Sequence, residues 1–443
     1  MSTLTLVIIT VFVVGYICIA TESLLRINKA AIALLMCVFC WTLLMMAPGS
    51  FYPTVAPDGL IGHISEVIEH HLGDAAGTLF FLMGAMTIVE IVDSNGGFNF
   101  VRDALKTRSK RKLMWRVAFM TFFLSAILDN LTTSIVMIMV LRKLVQSRSE
   151  RLIYAALIVI AANSGGAFSP IGDVTTIMLW IKGVITTQGV LTEIFIPSLV
   201  SMVIPAFILQ YSLNGKFDKS QNLPKAEVTQ FTKVQRDIIF WLGVGGLVFV
   251  PIFKTITHLP PFMGILLVLG ILWTVTEIFH HNTSEDDTMA KRVSDLLSRI
   301  DLSTIMFFLG ILMAVAVLQE IGVLTRLGEG LNEAFNGNHY LVTGIIGVLS
   351  SIVDNVPLVA GCMGMYPVQP TGDMAVDGIF WQLLAYCAGV GGSMLIIGSA
   401  AGVVVMGLEK ITFGWYMKKI TWIAFVGYLA GILCYWLERT FLF

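Results

Sequence analysis

The chain has 443 residues, of which 56% are hydrophobic and only 13% charged, about half the roughly 25% charge of a soluble domain. Apolar runs long enough to cross a bilayer recur throughout, which excludes a soluble globular protein and defines a polytopic membrane protein. The net charge of −1 identifies no partner and gives no sign of nucleic-acid binding, but the placement of the charges defines a topology.

Ten full spans are predicted in chain order, at residues 4–21, 29–46, 77–93, 152–183, 193–213, 237–255, 261–280, 303–320, 378–407 and 421–438. The first lacks a basic start and a small-residue cleavage site, so it reads as a retained span and not a signal peptide. The spans 152–183 and 378–407 are interrupted by glycines. Two further apolar regions, 114–146 and 340–367, carry a polar Asp-Asn pair in their middle. Their arms are only about 13–16 residues, short of the roughly 20 that a crossing helix needs. Clusters of basic residues, Arg102–Arg116 and Arg142–Arg151, bracket the first of these regions. Basic residues gather on the cytoplasmic side, so the region enters and returns on one face as a re-entrant helical hairpin.

With both chain ends outside, the inner loops hold 24 of the 28 basic residues, leaving only Lys182, Lys254, Arg326 and Arg439 elsewhere. Glu329, Glu333, Asp373 and Asp377 flank the second hairpin, as suits an outer face. Residues 1–213 and 237–443 each hold five full spans, one of them interrupted, plus a hairpin. An odd number inverts the second half, so the expected fold is an all-α pair of inverted repeats joined by a cytoplasmic linker, 214–236. Residues 282–292 form a second cytoplasmic loop. The amphipathic stretches 96–110 and 322–336 are expected to lie in the interface before each hairpin. The six cysteines lie in apolar stretches and read as packing residues, implying neither disulfide nor metal.

The polar segments repeat. SAILDNLTT (Ser125–Thr133) matches SSIVDNVPL (Ser350–Leu358), ANSGGAFSPIGDVT (Ala162–Thr175) matches AGVGGSMLIIGSAA (Ala388–Ala401), and FFLMGAM (Phe80–Met86) matches FFLGILM (Phe307–Met313), at offsets of 225 to 227 residues. A carboxylate, an amide or a broken helix at membrane depth costs several kcal/mol unless it lines a cavity or is buried in protein. Finding these features twice, in register, points to a site at a repeat interface, as in many secondary transporters.

Asp129–Asn130 and Asp354–Asn355 occupy the hairpin tips, with Thr132 and Thr133 following the first. They suit the N-cap of each second arm, but Asn alone would cap at lower cost, so an ionic role is expected as well. In the first interrupted span, Gly165–Gly166, Pro170 and Gly172 break the helix among Asn163, Ser164, Ser169, Asp173, Thr175 and Thr176. Proline and glycine free backbone carbonyls, which together with carboxylates are the oxygen ligands that hard cations prefer. In the second, Gly391–Gly392 and Gly398 keep the break while Ser393 and Ser399 are its main polar groups. Position for position, Asp173 becomes Ser399 and Asn163 becomes Gly389, so the duplicated site has become asymmetric. Close helix packing explains the glycines but not the acids. Asp93 and Glu320, at span ends, read as interfacial caps. All seven histidines are placed in loops or at span ends, and the His63–Asp74 cluster reads as a solvated face.

These motifs resemble those of the NhaD-type sodium/proton antiporters, within a superfamily of ion transporters that includes arsenite, citrate and sodium/dicarboxylate carriers. The resemblance covers essentially the whole chain. It implies a homodimer held by scaffold helices and an elevator-like movement of the hairpin-containing part. It also implies an ion site at Asp129, Asn130, Asn163, Asp173, Thr175, Thr176, Asp354 and Asn355, with Na+ at Asp129, Asn130, Asp173, Asp354 and Asn355. The expected activity is exchange of cytoplasmic Na+ or Li+ for external H+ across a bacterial inner (plasma) membrane, with no cofactor. The competing reading is a sodium-coupled carrier of an organic anion or oxyanion. A channel is disfavoured because nothing suggests a continuous polar pore, and an enzyme because no nucleophile–base or metal constellation appears.

Overall fold

The computed structural model describes residues 3–21, 25, 27–53, 55–56, 59–97, 101, 104–213, 215–217, 231–281, 293–298, 300–352 and 355–441. Among them the chain is all-helical, with one isolated bridge between Ser109 and Lys216 and no strand. Among the described residues, seven helical stretches are long and apolar enough to cross a membrane: Lys29–Met46, Leu60–Ser94, Thr187–Ser212, Lys233–Thr257, Pro261–His281, Leu302–Glu320 and Thr421–Phe441. The loop 282–292 and most of the linker 214–236 lie outside the described residues, as does part of the stretch 96–110. The stretch 322–336 contains the helix Val323–Ala334.

One expected span is corrected. Hydropathy started it at residue 77, but the helix runs from Leu60 to Ser94 without interruption. At 1.5 Å per residue its 35 residues measure about 52 Å, well beyond an apolar core of about 30 Å. Residues 60–76 are polar enough to lower the hydropathy yet contain no proline, and Cβ atoms at Gly62 and Gly73 would meet nothing within 4 Å. Nothing therefore stops the helix where the apolar pattern stops. The histidine placement changes with it, because His63, His70 and His71 stand on this helix and not in a loop.

Both Asp-Asn regions form hairpins. The first consists of Lys110–Leu128 and Asn130–Leu144, turned on the single residue Asp129. The second consists of His339–Ser350 and Asn355–Met365. Each hairpin is followed by a broken helix, Arg148–Ala167 with Val174–Lys182, then Ile379–Gly391 with Ala400–Glu409.

Glycine permits the hairpins to touch the broken helices backbone to backbone. A Cβ at Gly165 would collide with the Phe122 carbonyl, and one at Gly391 with the Gly347 carbonyl. A second tier repeats the arrangement: a Cβ would lie 2.7 Å from the Ser125 carbonyl at Gly172 and 2.5 Å from the Ser351 carbonyl at Gly398. The other helices exchange partners between the halves. Lys29–Met46 packs on Leu302–Glu320, while Leu60–Ser94 packs on Pro261–His281, and Phe195–Leu209 lies along Thr421–Phe441. The second arm of the first hairpin packs on Ala400–Glu409, and that of the second packs on Val174–Lys182.

Polar clamps fix the hairpin bases at opposite ends of the first broken helix. At its start, Glu409 accepts from Arg151 Nε and from Arg142 Nε, each at 2.7 Å. Arg142 belongs to the base of the first hairpin. Just beyond its other end, the Asp377 carboxylate accepts from the Thr186 backbone N–H at 2.7 Å and from the Thr186 hydroxyl at 2.6 Å. Asp377 belongs to the segment leaving the second hairpin, whose base is tied by His339 Nδ1 to Asp373 at 2.9 Å.

Gly391→Ala tests the backbone contact. Overpacking of this kind costs about 1–3 kcal/mol, so the purified variant should melt several degrees below the wild type. Gly245→Ala, where a Cβ meets nothing within 4 Å, should melt like the wild type. Equal melting of the two variants would contradict the contact.

Candidate functional site

The site begins with a strained residue. Asp129 ends the first arm at φ 82 and ψ 160, a backbone region that essentially only glycine occupies and that costs an L-residue about 1–3 kcal/mol. The conformation reverses the chain in one residue and turns the carboxylate onto the next helix. There Oδ1 accepts from the Thr132 backbone N–H at 2.7 Å, and Oδ2 from the Thr132 hydroxyl at 3.0 Å. Asp129 is thus an N-cap, as one of the two sequence readings expected. A serine or asparagine would cap as well, so capping alone does not explain why an acid stands in a strained position.

The next residue reaches inward. Asn130 Nδ2 donates to Asn163 Oδ1 at 3.1 Å, and Asn163 Nδ2 donates to Ser399 Oγ at 2.9 Å. Ser399 Oγ also accepts from the Gly402 backbone N–H at 3.2 Å, capping the helix that follows the second break. One amide therefore bridges the first hairpin, the first broken helix and the second broken helix. All three side chains are buried.

Asp173 lies at the first break with 1% of its surface exposed. It caps Val174–Lys182, accepting from the Thr175 N–H at 3.4 Å, and it receives the Asn355 amide at 3.3 and 3.5 Å. Asn355 opens the second arm of the second hairpin, so both hairpins deliver an amide to the centre. The two deliveries differ because the breaks differ. Asn130 meets Asn163 of its own half, whereas the matching position in the other half is Gly389, which has no side chain to offer. Asn355 crosses to Asp173 instead. A Cβ at Gly389 would stand 3.3 Å from Asp173 Oδ2 and 3.0 Å from the Ala167 Cβ, so the glycine makes room for the acid.

The hydroxyls of Thr133 and Thr175 are buried without a hydrogen-bond partner. Thr176 Oγ1 donates to the Ala167 carbonyl at 3.4 Å, tying the two sides of the break. Ser393 does not join the cluster. Its hydroxyl donates to the Val390 carbonyl at 2.6 Å, and its own carbonyl is held by the Tyr416 hydroxyl at 2.8 Å, so it ties off the first half of the second broken helix. Grouped with the ion-binding residues by its sequence motif, Ser393 is linked here to its own helix and to Tyr416. Asp354 lies outside the described residues.

Several contributors were not singled out from sequence. Ser125 Oγ donates to the Ala162 carbonyl at 2.6 Å, and Ser350 Oγ to the Ala388 carbonyl at 2.8 Å. Each ties its hairpin to its own broken helix just before the break. Their signal was present, since serine stands at the same place in both repeated motifs. Glu320 is not an interfacial cap. It accepts from the Tyr52 hydroxyl and binds His71 Nε2, each at 2.8 Å. His71 is thereby removed from the solvated face to which the histidine cluster was assigned, and the His63 and Tyr52 rings meet in a T-shaped contact with centroids 5.0 Å apart.

Fold and site together define a polytopic membrane protein with a buried polar centre where two hairpins meet two broken helices. The chain belongs to the citrate transporter (CitMHS) family, whose model matches residues 16–385. It is 45% identical over 425 residues to sodium/proton antiporter 1 of Arabidopsis thaliana, covering 96% of this chain and 71% of that protein. It is 31% identical over 462 residues to the Na(+)/H(+) antiporter NhaD of Alkalimonas amylolytica, covering 98% and 90%. In fold it is similar to the YdaH transporter of Alcanivorax borkumensis, with a TM-score of 0.60, 13% identity, and coverage of 92% and 98%.

Proposed function

We propose that this protein exchanges cytoplasmic Na+ or Li+ for external H+, with Asp173 as the group that both ions compete for. The observation that carries the proposal is the setting of Asp173. It is a buried carboxylate at a helix break that receives the neutral Asn355 amide, with the unpartnered Thr175 hydroxyl two residues along the helix it caps. A charged group at this depth is costly unless compensated. A proton on the carboxyl neutralises it. A small hard cation does the same and also uses the spare hydroxyl and amide oxygens. Binding one then requires releasing the other. Relatives named sodium/proton antiporters support this reading.

Transport of an organic anion with sodium is the second reading, favoured by the description of the family model. An anion site would be expected to use a basic side chain or open helix N-termini. No Lys or Arg occurs in any of the four repeated polar segments, and Asp173 and Ser399 already close the N-termini at the two breaks. Cation exchange therefore fits better.

The proposal includes two inverted repeats, 1–213 and 237–443, with the first hairpin opening to the cytoplasm and the second to the outside. Support comes from the basic-residue distribution and from hairpin bases clamped at opposite ends of one broken helix. It also includes a homodimer and an elevator-like movement, which the family resemblance implies. A bacterial inner membrane fits the bacterial relatives, while the plant relatives fit another membrane with the same orientation logic. No cofactor enters the mechanism, and a purified protein that proved monomeric in lipid nanodiscs would remove the dimer from it.

Asp173→Asn keeps a capping side chain but cannot exchange a proton. In everted vesicles with a pH-sensitive dye, Na+- and Li+-driven dequenching should fall to background, while expression and melting stay near wild type. Near-normal exchange would contradict the assignment, and a response to succinate but not to Na+ would favour the second reading. The topology is tested in a Cys-free background by Ser149→Cys and Gln369→Cys, both exposed beyond the hairpin bases. A membrane-impermeant thiol reagent added to intact cells should label Gln369→Cys at least about tenfold faster than Ser149→Cys, given the basic-residue asymmetry. Equal labelling from one side would contradict the inversion.

A further inference from the structure

A cavity of about 710 Å³ lies between the first hairpin arm, Lys110–Leu128, and the start of the helix Lys233–Thr257. That is within the roughly 300–1,000 Å³ of ligand sites. Its polarity is segregated. Lys233, Arg236 and Asp237 stand together within one turn, while the remaining walls are apolar and include Met120, Phe123, Ile127 and Trp241. Arg236 Nε is buried and has no hydrogen-bond partner among the described residues. The helix start gives it none, because Thr232 and Gln235 satisfy each other in a capping box. A buried donor left unpaired costs about 1–3 kcal/mol, so a ligand that accepts from it is favoured. The apolar side opens sideways, since Phe123 and Trp241 are 50% and 69% exposed on faces that meet lipid in a membrane-spanning chain.

From this geometry we infer that the cavity holds one anionic phospholipid, its phosphate on Lys233 and Arg236 and an acyl chain along Phe123, Ile127 and Trp241. Two cations against one carboxylate leave a single positive charge at the polar end, matching the net single negative charge of an anionic headgroup, whereas the ammonium of phosphatidylcholine cancels its phosphate. Basic groups at the membrane surface attract anionic lipids in this way, and tryptophan sits at the headgroup level. A water-filled passage is a poorer match, because the polar groups occupy one end only and the walls toward Leu124 and Ile127 are apolar. The lipid would lie between the hairpin arm that ends at Asp129 and a helix of the other half, coupling membrane composition to the hairpin. Binding itself does not depend on the transported ion, and only the choice of leaflet rests on the proposed topology.

The test uses the full-length protein, purified in detergent and offered equal amounts of phosphatidylglycerol and phosphatidylcholine, with adducts counted by native mass spectrometry. The wild type should retain phosphatidylglycerol in preference by roughly tenfold, as expected for two basic groups at a lipid phosphate. Lys233→Ala/Arg236→Ala should reduce that preference to near unity at unchanged melting in lipid-free detergent. Ile127→Trp, which fills the cavity without touching the basic end, should lower retention of both lipids. Unaltered adduct patterns in both variants would overturn the inference. So would rapid modification of Leu124→Cys, in a Cys-free background in lipid vesicles, by a charged thiol reagent, since that outcome identifies a water-filled vestibule.

Discussion

The structure depends on one constraint: a carboxylate at membrane depth must be neutralised, and here the backbone is broken in order to do it. An intact helix leaves no free carbonyl or N–H for a ligand. The breaks after Ala167 and after Gly391, and the one-residue turn at Asp129, each expose such groups. Each exposed end is then closed by a side chain at the start of the next helix, namely Asp129, Asp173 and Ser399. The caps make the breaks tolerable, and two of them, Asp129 and Asp173, are acids.

Duplication supplies the frame and divergence supplies the chemistry. The glycine contacts, the paired serines and the exchanged helix partners repeat at nearly one offset. The functional positions do not. Asn163 faces Ser399, while at the mirrored place Gly389 leaves a gap that Asp173 occupies from the other side. Two copies of an acid this close would repel each other and raise the cost of either charge. With serine at one of the two matching positions and glycine at the other, Asp173 has no second acid at the mirrored break and receives the Asn355 amide of the second hairpin, while Asn130 of the first meets Asn163. Asp129 remains separate, its two oxygens engaged by Thr132.

Local sequence carried the hairpins and the broken helices, because Asp-Asn within a short apolar arm and glycine pairs with proline have direct backbone consequences. Asn130, Asn163, Asp173 and Asn355 were legible for the same reason: polar residues in apolar runs stand out. Ser393 stood out equally, but nothing in its local sequence showed that its hydroxyl bonds its own backbone one turn back. The Asn163–Ser399 and Asn355–Asp173 pairings join residues more than 180 positions apart, and no local rule links them. The Glu409 clamp escaped notice for that reason too. Hydropathy hid the extension of Leu60–Ser94, because polar residues end an apolar run without ending a helix, and with it the pairing of His71 with Glu320. Cys37 and Cys40 have the C-x-x-C spacing, but they sit within the apolar helix Lys29–Met46 as free thiols.

Competition between a proton and a cation for one buried acid is the central claim, and proton release on sodium binding measures it most directly. Sodium added to the purified, weakly buffered protein at mildly alkaline pH, with a pH dye as readout, should release protons in proportion to the ion bound. The release should saturate with binding and shrink as the pH is raised until the acid is already deprotonated. Sodium binding without proton release across the neutral and alkaline range would contradict the account.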